Sequence, residues 1–378
     1  MELKIGVLLP RSDMFPTLAV DFLNGIKLPF KLSNTQNYNP KFIIESIGNA
    51  TDPNLLQKIE QMMLQEEVDV ILSFCSYFML DNLVTIANSF KKPIIHVSLG
   101  ARVLKPIHSS PYVVHESLNL CHTSYLSGKY AVEKFGKKVA MLSSFYDGGY
   151  HMAEALYRGI VDHGGEIVYN YVSPLDYKNE TFQTLIEGIE NSKPDVLVSL
   201  FSYKEANIVI EKLTESGLDV IPNVAVPIMT DESLEIGNSI PKNVYSVASW
   251  AFEDNTPTMK NFCSNYIKQY DEKPTIISLL GEEIGSMLLN TVQNEGKIPN
   301  KIGDYLQNKT FTSTRGNLRF TEFSESMPEV FKVRILEKNN ELFQNTVIEN
   351  LDSSLSEVIN KKMENLPNTG WKNPYICT

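Results

Sequence analysis

The chain has 378 residues, of which 43% are apolar, and a formal net charge of −11 at pH 7. This length allows two hydrophobic cores, and the acidic balance argues against nucleic-acid partners and anionic membrane surfaces, which select for basic patches. No stretch approaches the roughly 18 consecutive apolar residues of a membrane span, so no membrane insertion is expected. The four cysteines are far apart, which argues against a disulfide framework or a structural zinc site.

The first third of the chain alternates short apolar runs with helical patterns. Residues 68–74 (VDVILSF) have the composition of a strand buried on both faces. The helical spacing that starts at Met79 stops before Pro93, since proline cannot continue a helix. We predict strands at 4–9, 41–47, 68–74, 93–98 and 111–115, with helices at 17–32, from about 51 to 65, and from 79 to about 90.

The same rhythm starts again near residue 138. We predict strands at 138–145, 166–172, 195–201 and 223–228, and helices from about 151 to 163, at 180–191 and at 204–216. Two successive runs of alternating strand and helix predict an α/β fold with two lobes, each a doubly wound parallel sheet.

The remaining residues predict a hinge between the two lobes. We expect a strand at 243–249, helices at 257–270 and 275–294, and late strands at 318–320 and 330–337. The simplest arrangement has three crossings, near 117–121, 247–251 and 323–329, and therefore a hinged cleft. The expected division is 1–118 plus 250–324 for lobe 1, 119–249 plus 325–345 for lobe 2, and 346–378 as a peripheral C-terminal tail.

Several stretches occur in an order that resembles a known family. They are KIGVLLPRS, DFLNGIKL, VDVILSFCS, KKPIIHVSLGAR, KKVAMLSSFYDGGYHMAEAL, VPIMTDESL and PTIISLLGEEIGSMLLNTV. Over roughly residues 4–340 the chain resembles the type I periplasmic substrate-binding proteins, in particular the leucine/isoleucine/valine-binding receptors of ABC transporters. The resemblance implies a small-molecule ligand captured by closure of the two lobes, and an ABC permease as partner.

The resemblance also implies a set of ligand-binding residues. On the first lobe, hydroxyls and amides at helix starts would bind a carboxylate, which agrees with the preference of helix N-termini for anions. The matching residues are Ser76, Ser98, Gly100 and Ala101. On the second lobe, aromatic rings and an acidic group would bind an ammonium group. The matching residues are Tyr146 or Tyr150, Phe201 and Asp231.

Two arginines depart from the family pattern. The first strand ends in Pro10-Arg11, where a small or neutral residue is usual, and Ala101-Arg102 replaces a small hydroxyl residue. Arg11 and Arg102 could clamp an additional acidic group by bidentate hydrogen bonds, or they could be solvated residues at the rim of the cleft.

Metal and enzyme interpretations find little support. His108, His115 and His122 are spaced by seven residues, but they span a loop, a strand and a helix start, and the short ligand pairs of dedicated metal sites do not occur. The sequence lacks a dinucleotide fingerprint, a phosphate loop and a nucleophile elbow. We expect no catalytic activity, no metal and no cofactor.

The sequence therefore predicts a solute-binding receptor of an ABC importer that captures an amino acid or an amino-acid-like molecule. One alternative is a cytoplasmic ligand sensor of the same fold that regulates a partner protein; another is a family member that binds a partner and no ligand. Met1-Glu2 leads directly into the first strand. The protein would be cytoplasmic if Met1 is the natural start, and periplasmic or lipid-anchored if a leader has been removed.

Overall fold

A computed structural model of the protein describes residues 2–33, 39–51, 54–232, 242–339, 342–367 and 370–377, and the described strands form three sheets. The first sheet consists of β1 (Glu2–Leu9), β2 (Asn39–Ser46), β3 (Val70–Phe74), β4 (Ile94–Ser98) and β5 (Val113–Ser117). These strands are parallel and lie in the order β2-β1-β3-β4-β5. The helices between them are α1 (Leu18–Leu32), α2 (Asn54–Leu64) and α3 (Leu80–Phe90).

The second sheet repeats this order. Its elements are α4 (Leu120–Phe135), β6 (Lys138–Ser143), α5 (His151–Val161), β7 (Glu166–Val172), α6 (Gln183–Ser192), β8 (Val196–Leu200), α7 (Tyr203–Glu215), β9 (Asn223–Ala225) and β10 (Val244–Ala248). The strands β7-β6-β8-β9-β10 are neighbours in that order and run parallel. The predicted α/β architecture with two doubly wound lobes is confirmed.

After β10 the chain returns to the first sheet and then goes back to the second. The returning part contains α8 (Pro257–Tyr270), α9 (Ile276–Glu295), α10 (Ile302–Gln307) and a small sheet of β11 (Phe311–Ser313), β12 (Gly316–Phe320) and β13 (Ser326–Pro328). The final elements are β14 (Val330–Asn339), β15 (Leu342–Asp352) and α11 (Ser356–Met363). β14 pairs antiparallel with β10, so the chain passes between the two large sheets three times, as predicted.

Strand β15 corrects one sequence-based expectation. Residues from 346 onward were assigned to a peripheral tail, but β15 pairs along its length with β14 and forms the edge of the second sheet. Asn345 of β15 is fully buried, and its Nδ2 donates to the carbonyl oxygen of Thr230 at 2.7 Å. The polar composition of this stretch reflects an edge strand whose buried amide is hydrogen-bonded. The exact lobe boundaries stay a prediction.

Close helix contacts stiffen each lobe. A Cβ atom on Gly25 of α1 would lie 2.1 Å from a carbonyl oxygen of α9, and one on Gly281 of α9 would lie 2.4 Å from a carbonyl oxygen of α1. In the second lobe, a Cβ atom on Gly128 of α4 would lie 2.5 Å from a carbonyl oxygen of α5. A Cβ atom on Gly159 of α5 would lie 2.0 Å from a carbonyl oxygen of α4. Since no side chain separates the paired backbones, larger residues at these positions would push the helices apart.

The three crossings meet around one buried cation, Arg315. Its Nη2 lies 3.0 Å from Oε1 of Glu116 and 2.8 Å from Oε2 of Glu283, and its Nη1 donates to Ser249 at 2.9 Å. Ser326 donates to the same Glu116 oxygen at 2.9 Å. Glu116, Ser249 and Ser326 come from the first, second and third crossing respectively, so this buried cluster around Arg315 links all three.

Further hydrogen bonds join the crossings directly. Ser249 Oγ donates to the carbonyl oxygen of Leu118 at 2.8 Å, and Asn119 Nδ2 donates to the carbonyl oxygen of Ser326 at 2.9 Å. The hinge is therefore a buried polar network. Among the described helices, none is both long and apolar enough to cross a bilayer.

We expect Arg315→Ala to lower the free energy of unfolding by about 3–5 kcal/mol, because it leaves two buried carboxylates without their cation. Urea denaturation of the variant and the wild type measures this difference. Arg319→Ala is the matched control, since Arg319 is more exposed and pairs with the exposed Glu357, a contact worth at most about 1 kcal/mol. Equal losses for the two variants would contradict the role assigned to Arg315.

Candidate ligand-binding site

A small cavity lies between the lobes, at the carboxyl ends of β3 and β4. Its volume is about 50 Å³. The first lobe contributes the cavity residues Cys75, Tyr77, His96, Ser98, Ala101 and Arg102, the third crossing contributes Glu325, and the second lobe contributes Tyr150. Four residues near the C-terminus also line it: Asn373, Pro374, Tyr375 and Ile376. These four belong to residues 370–377, which we call the cleft segment.

The loop after β4 brings three predicted residues to the cavity. Ser98, Ala101 and Arg102 line it, whereas the amide of Gly100 donates to Ser98 Oγ at 3.2 Å and is thus engaged inside its own loop. Gly100 has φ +75°, and a Cβ atom there would lie 2.4 Å from Oγ of Ser117. Both the backbone conformation and the close approach to the first crossing require glycine at this position.

Arg102 is a buried cleft residue rather than a solvated one, with 8% of its surface exposed. Its Nη2 donates to the carbonyl oxygens of Gly149 at 3.3 Å and Trp371 at 2.9 Å. Its guanidinium carbon lies 5.5 Å from the ring centre of Tyr77 and 5.2 Å from that of Tyr150. Burial lowers the pKa of Arg102 from its ordinary value. Among the described residues, Arg102 has no carboxylate within ion-pair distance, and its buried Nη1 has no hydrogen-bond partner.

Arg11, the other predicted arginine, is exposed and lies outside this cavity. Its backbone amide donates to the carbonyl oxygen of Gly48 at 2.6 Å. Together with Thr51 and Lys372 it borders an open depression next to the cleft segment. The two arginines therefore occupy different environments, although the same role was predicted for both.

Next to the cavity, the second lobe presents two tyrosines, of which Tyr150 lines the cavity, and a buried acid. The hydroxyls of Tyr146 and Tyr150 are 2.8 Å apart. Between these residues in the chain, Asp147 is buried, and its Oδ2 accepts hydrogen bonds from Ser144 at 2.6 Å and Ser202 at 3.2 Å. Burial raises the pKa of Asp147, and these hydrogen bonds partly offset the effect. Asp147 was not among the site residues predicted from the sequence.

The cleft segment contradicts the expectation of a peripheral position for residues 346–378. Tyr375 is buried and contacts Tyr146 and Tyr150, and Trp371 Nε1 donates to the carbonyl oxygen of Tyr146 at 2.9 Å. On the first lobe, Ser12 Oγ donates to the carbonyl oxygen of Ile376. The polar composition suggested a tail, whereas the aromatic side chains find partners only in the folded cleft. These aromatic residues were the available signal.

Four other predicted residues, Ser76, Tyr146, Phe201 and Asp231, are not among the described residues that line the cavity. Ser76 is buried between the cavity residues Cys75 and Tyr77, and its amide donates to the carbonyl oxygen of Ala50 at 3.0 Å. Phe201 and Asp231 are fully buried but are not among the described residues that form the cavity wall. A short 3₁₀ turn follows β9 where a longer strand was predicted, and Asp231 lies after it, near the charge of buried Arg334.

Two buried histidines back the cavity as a neutral pair. His115 Nε2 lies 3.1 Å from the carbonyl oxygen of His108, so this nitrogen carries the proton, and His115 Nδ1 accepts from His96 Nδ1 at 3.1 Å. Burial lowers the pKa of His96 and brings that of His115 to about 4. In the described part of the chain, no group of three or more possible ligands is placed to hold a metal ion.

The fold and cleft can now be compared with known proteins. A family model described as periplasmic binding protein matches residues 2–322. The chain belongs to the periplasmic binding protein family. This confirms the resemblance to type I substrate-binding proteins that the order of motifs indicated. No curated protein matches the sequence.

Solved structures of substrate-binding proteins share the fold. An ABC transporter substrate-binding protein from Sphaerobacter thermophilus has a TM-score of 0.78 and 21% identity, over 93% of this chain and 98% of that one. A solute-binding protein from Rhodopseudomonas palustris BisB5, in complex with 3,4-dihydroxybenzoic acid, has a TM-score of 0.74 and 20% identity, over 93% and 98%. A putative branched-chain amino acid ABC transporter protein from Rhodospirillum rubrum has a TM-score of 0.71 and 17% identity, over 92% and 100%. At these identities the likeness shows the fold of this periplasmic binding protein.

Glu325, which lines the cavity, makes the stability of this periplasmic binding protein depend on pH. Burial raises its pKa from 4.5 to about 7. Between these values the folded chain holds a proton that the unfolded chain has lost, so the stability contribution of Glu325 falls as pH rises. We expect Glu325→Gln to gain on the order of 1–3 kcal/mol relative to wild type between about pH 5 and about pH 8.

Urea denaturation of both proteins at the two pH values measures this relative gain, because the other titrating groups are shared. Glu322→Gln, a change at an exposed glutamate on the same segment, is the control and should leave the pH profile parallel to that of wild type. Parallel profiles for Glu325→Gln would contradict the assignment.

Proposed function

We propose that this protein is the solute-binding receptor of an ABC importer, that it works outside the cytoplasm, and that it captures a small carboxylate between its lobes. Membership of the periplasmic binding protein family and the shared fold of transporter receptors support the general role. The similar proteins are described with an aromatic acid in one case and as a branched-chain amino acid transporter in another. Both kinds of molecule carry a carboxylate.

The observation that carries this proposal is the unpaired charge of Arg102. A buried cation without a counter-ion costs several kcal/mol, and folded proteins rarely leave such a charge unpaired unless it binds something. Arg102 lines the cavity, and its buried Nη1 has no hydrogen-bond partner among the described residues. A ligand carboxylate would supply the missing negative charge and accept from a planar guanidinium.

The surroundings of Arg102 suit a carboxylate on a ring or a short side chain. Ser98 and Ala101 come from the same loop, and Tyr77 and Tyr150 provide aromatic surface. On the second lobe, the acidic group that faces the ligand is proposed to be not Asp231, which was predicted from the sequence, but Asp147. Its carboxyl group can accept a hydrogen bond from an ammonium group or from a hydroxyl group.

Binding requires the cleft to open. The cavity of about 50 Å³ is far smaller than the roughly 300–1,000 Å³ of sites that hold small molecules. The lobes are joined by three crossings and stiffened by close helix contacts, so opening by rotation at the hinge is the motion that the fold favours. Binding and release, with no chemical change in the ligand, then follow from this motion.

A ligand sensor that acts on a partner protein is the second candidate function. The cleft segment favours it, because a ligand that displaced this segment would present it to a partner. Ligand-dependent stimulation of ATP hydrolysis by an ABC transporter in proteoliposomes would support the receptor over the sensor.

We expect a thermal-shift screen of L-amino acids, dicarboxylates, amides and small aromatic acids to yield a carboxylate ligand. Binding to the folded state adds about 2.7 kcal/mol of stability at 100 times Kd, which gives a clear shift in Tm. Stabilisation by amides alone, or no stabilisation by any carboxylate, would contradict the proposal.

With that ligand in hand, Arg102→Gln should weaken affinity by about 30-fold or more, since it removes one member of a buried charge pair. Isothermal titration calorimetry measures the loss. Arg11→Gln is the matched control and should change affinity by less than about threefold, because an exposed arginine at the rim contributes little. Equal effects of the two substitutions would argue against Arg102 as the anion-binding residue.

A further inference from the structure

The side chain of Tyr375 occupies a well-defined slot on the second lobe. Its ring stacks on Tyr146, with ring centres 5.9 Å apart and planes 21° apart, and meets the edge of Tyr150 at 4.9 Å and 82°. Its hydroxyl donates to Oδ1 of Asp147 at 2.5 Å. We call the site formed by Tyr146, Asp147 and Tyr150 the phenol slot.

The acceptor of the phenol slot is held within the second lobe. Asp147 is held by Ser144 and Ser202, and the Tyr146 and Tyr150 hydroxyls pair with each other. Backbone carbonyls of the cleft segment also accept hydrogen bonds from both tyrosine hydroxyls. The slot would therefore keep its acceptor if the side chain of Tyr375 alone left it.

The chemistry of the slot selects for a hydroxyphenyl group. Stacked and edge-on rings favour an aromatic guest, with about 0.5–1.5 kcal/mol per ring pair beyond area burial. At the end of the slot, the buried carboxyl group of Asp147 accepts two hydrogen bonds at Oδ2, and its Oδ1 can accept one from a phenolic O–H. A plain phenyl ring would leave this oxygen without a donor, which disfavours it.

We propose that the phenol slot is a binding site for a hydroxyphenyl group, that the chain fills this site with its own Tyr375, and that phenolic ligands compete with Tyr375 for it. The evidence that the slot binds a hydroxyphenyl group is the set of contacts that Tyr375 makes there. Its part in solute capture rests on the proposed function, in which Arg102 binds a carboxylate.

The two sites adjoin at one residue. Tyr150 lies 5.2 Å from the guanidinium carbon of Arg102 and 4.9 Å from the ring of Tyr375. A molecule with a hydroxyphenyl group at one end and a carboxylate at the other would therefore meet complementary groups from both lobes. A hydroxylated aromatic acid belongs to this class.

Competition with Tyr375 lowers the apparent affinity for any phenol. When the binding-competent state is only a fraction of the population, the apparent Kd rises by the inverse of that fraction. Removing the Tyr375 ring should remove this factor. Replacing Tyr375 by phenylalanine should remove part of it, because the ring still fills the slot but leaves Oδ1 of Asp147 without a donor.

The test uses phenol, which has no carboxylate and so does not depend on Arg102. We expect Tyr375→Ala in the full chain to bind phenol at least about tenfold more tightly than wild type by calorimetry. Tyr375→Phe should bind phenol with an affinity between those of wild type and Tyr375→Ala, and methoxybenzene, which cannot donate a hydrogen bond, should bind Tyr375→Ala at least about tenfold more weakly than phenol does. Equal phenol affinities for wild type and Tyr375→Ala, no phenol binding by Tyr375→Ala, or equal affinities for phenol and methoxybenzene would each overturn the proposal.

A second measurement uses wild type and so does not depend on how the variants fold. Trp371 lies in the cleft segment and stacks on Tyr146 with ring centres 5.9 Å apart. Displacement of Tyr375 by saturating phenol should shift the fluorescence of Trp371 toward that of a solvent-exposed indole, with Trp371→Phe as the blank. Saturation by phenol without such a shift would overturn the competition.

Benzoate, which has a carboxylate and no hydroxyl, separates this proposal from the proposed function. Benzoate binding that depends on Arg102, without a phenol response in Tyr375→Ala, would support the receptor and overturn the phenol slot. If Tyr375→Ala binds phenol more tightly than wild type does, and neither protein binds any carboxylate, the result would support the phenol slot and count against the proposed receptor function.

Discussion

The structure depends on the burial of Arg315 at the hinge. A guanidinium taken out of water is costly, and its attraction to nearby carboxylates offsets that cost only when the geometry is good. Here the partners come from different parts of the chain: Glu116 from the first crossing, Ser249 from the second and Glu283 from α9. The first two crossings and α9 are thus held together by one shared charge.

Arg102 shows the opposite use of the same side chain. Both arginines are buried, but Arg315 has two carboxylates within 3.0 Å, whereas Arg102 has none among the described residues. Carbonyl oxygens and aromatic faces hold Arg102 without neutralising it. The hinge therefore contains a cation that is neutralised by carboxylates and stabilises the fold. The cleft contains a cation without a counter-ion, and binding of an anion would offset the free-energy cost of burying it.

Local patterns in the sequence were enough for most of the architecture. The helix over 257–270 has the predicted bounds, and the strand predicted at 330–337 is β14, at Val330–Asn339. In both cases residue spacing and flanking residues carry the information. Edge strand β15 was missed, because it is polar and its stability comes from pairing with β14 and from the buried amide of Asn345.

Cleft residues were harder to predict, since they depend on which way a side chain leaves a turn. Ser98, Ala101, Arg102 and Tyr150 were named from their places after strands, and they line the cavity. Phe201 and Asp231 were named on the same grounds and do not, because the path of the chain after β8 and β9 differs from a simple strand end. Tyr375 was missed, because only its aromatic side chain indicated burial and its partners lie more than 200 residues away in the chain.

The burial of Arg102 also bears on how fast an anion can be captured. The chain as a whole carries a charge of −11, which repels an approaching anion at long range. Mobile ions screen such exposed charges beyond a Debye length of about 8 Å at physiological ionic strength, but they screen a buried charge much less. Added salt should then weaken the repulsion more than the attraction. Capture of an anionic ligand would become faster as ionic strength rises, which is the reverse of the salt effect on binding that is steered by surface charge.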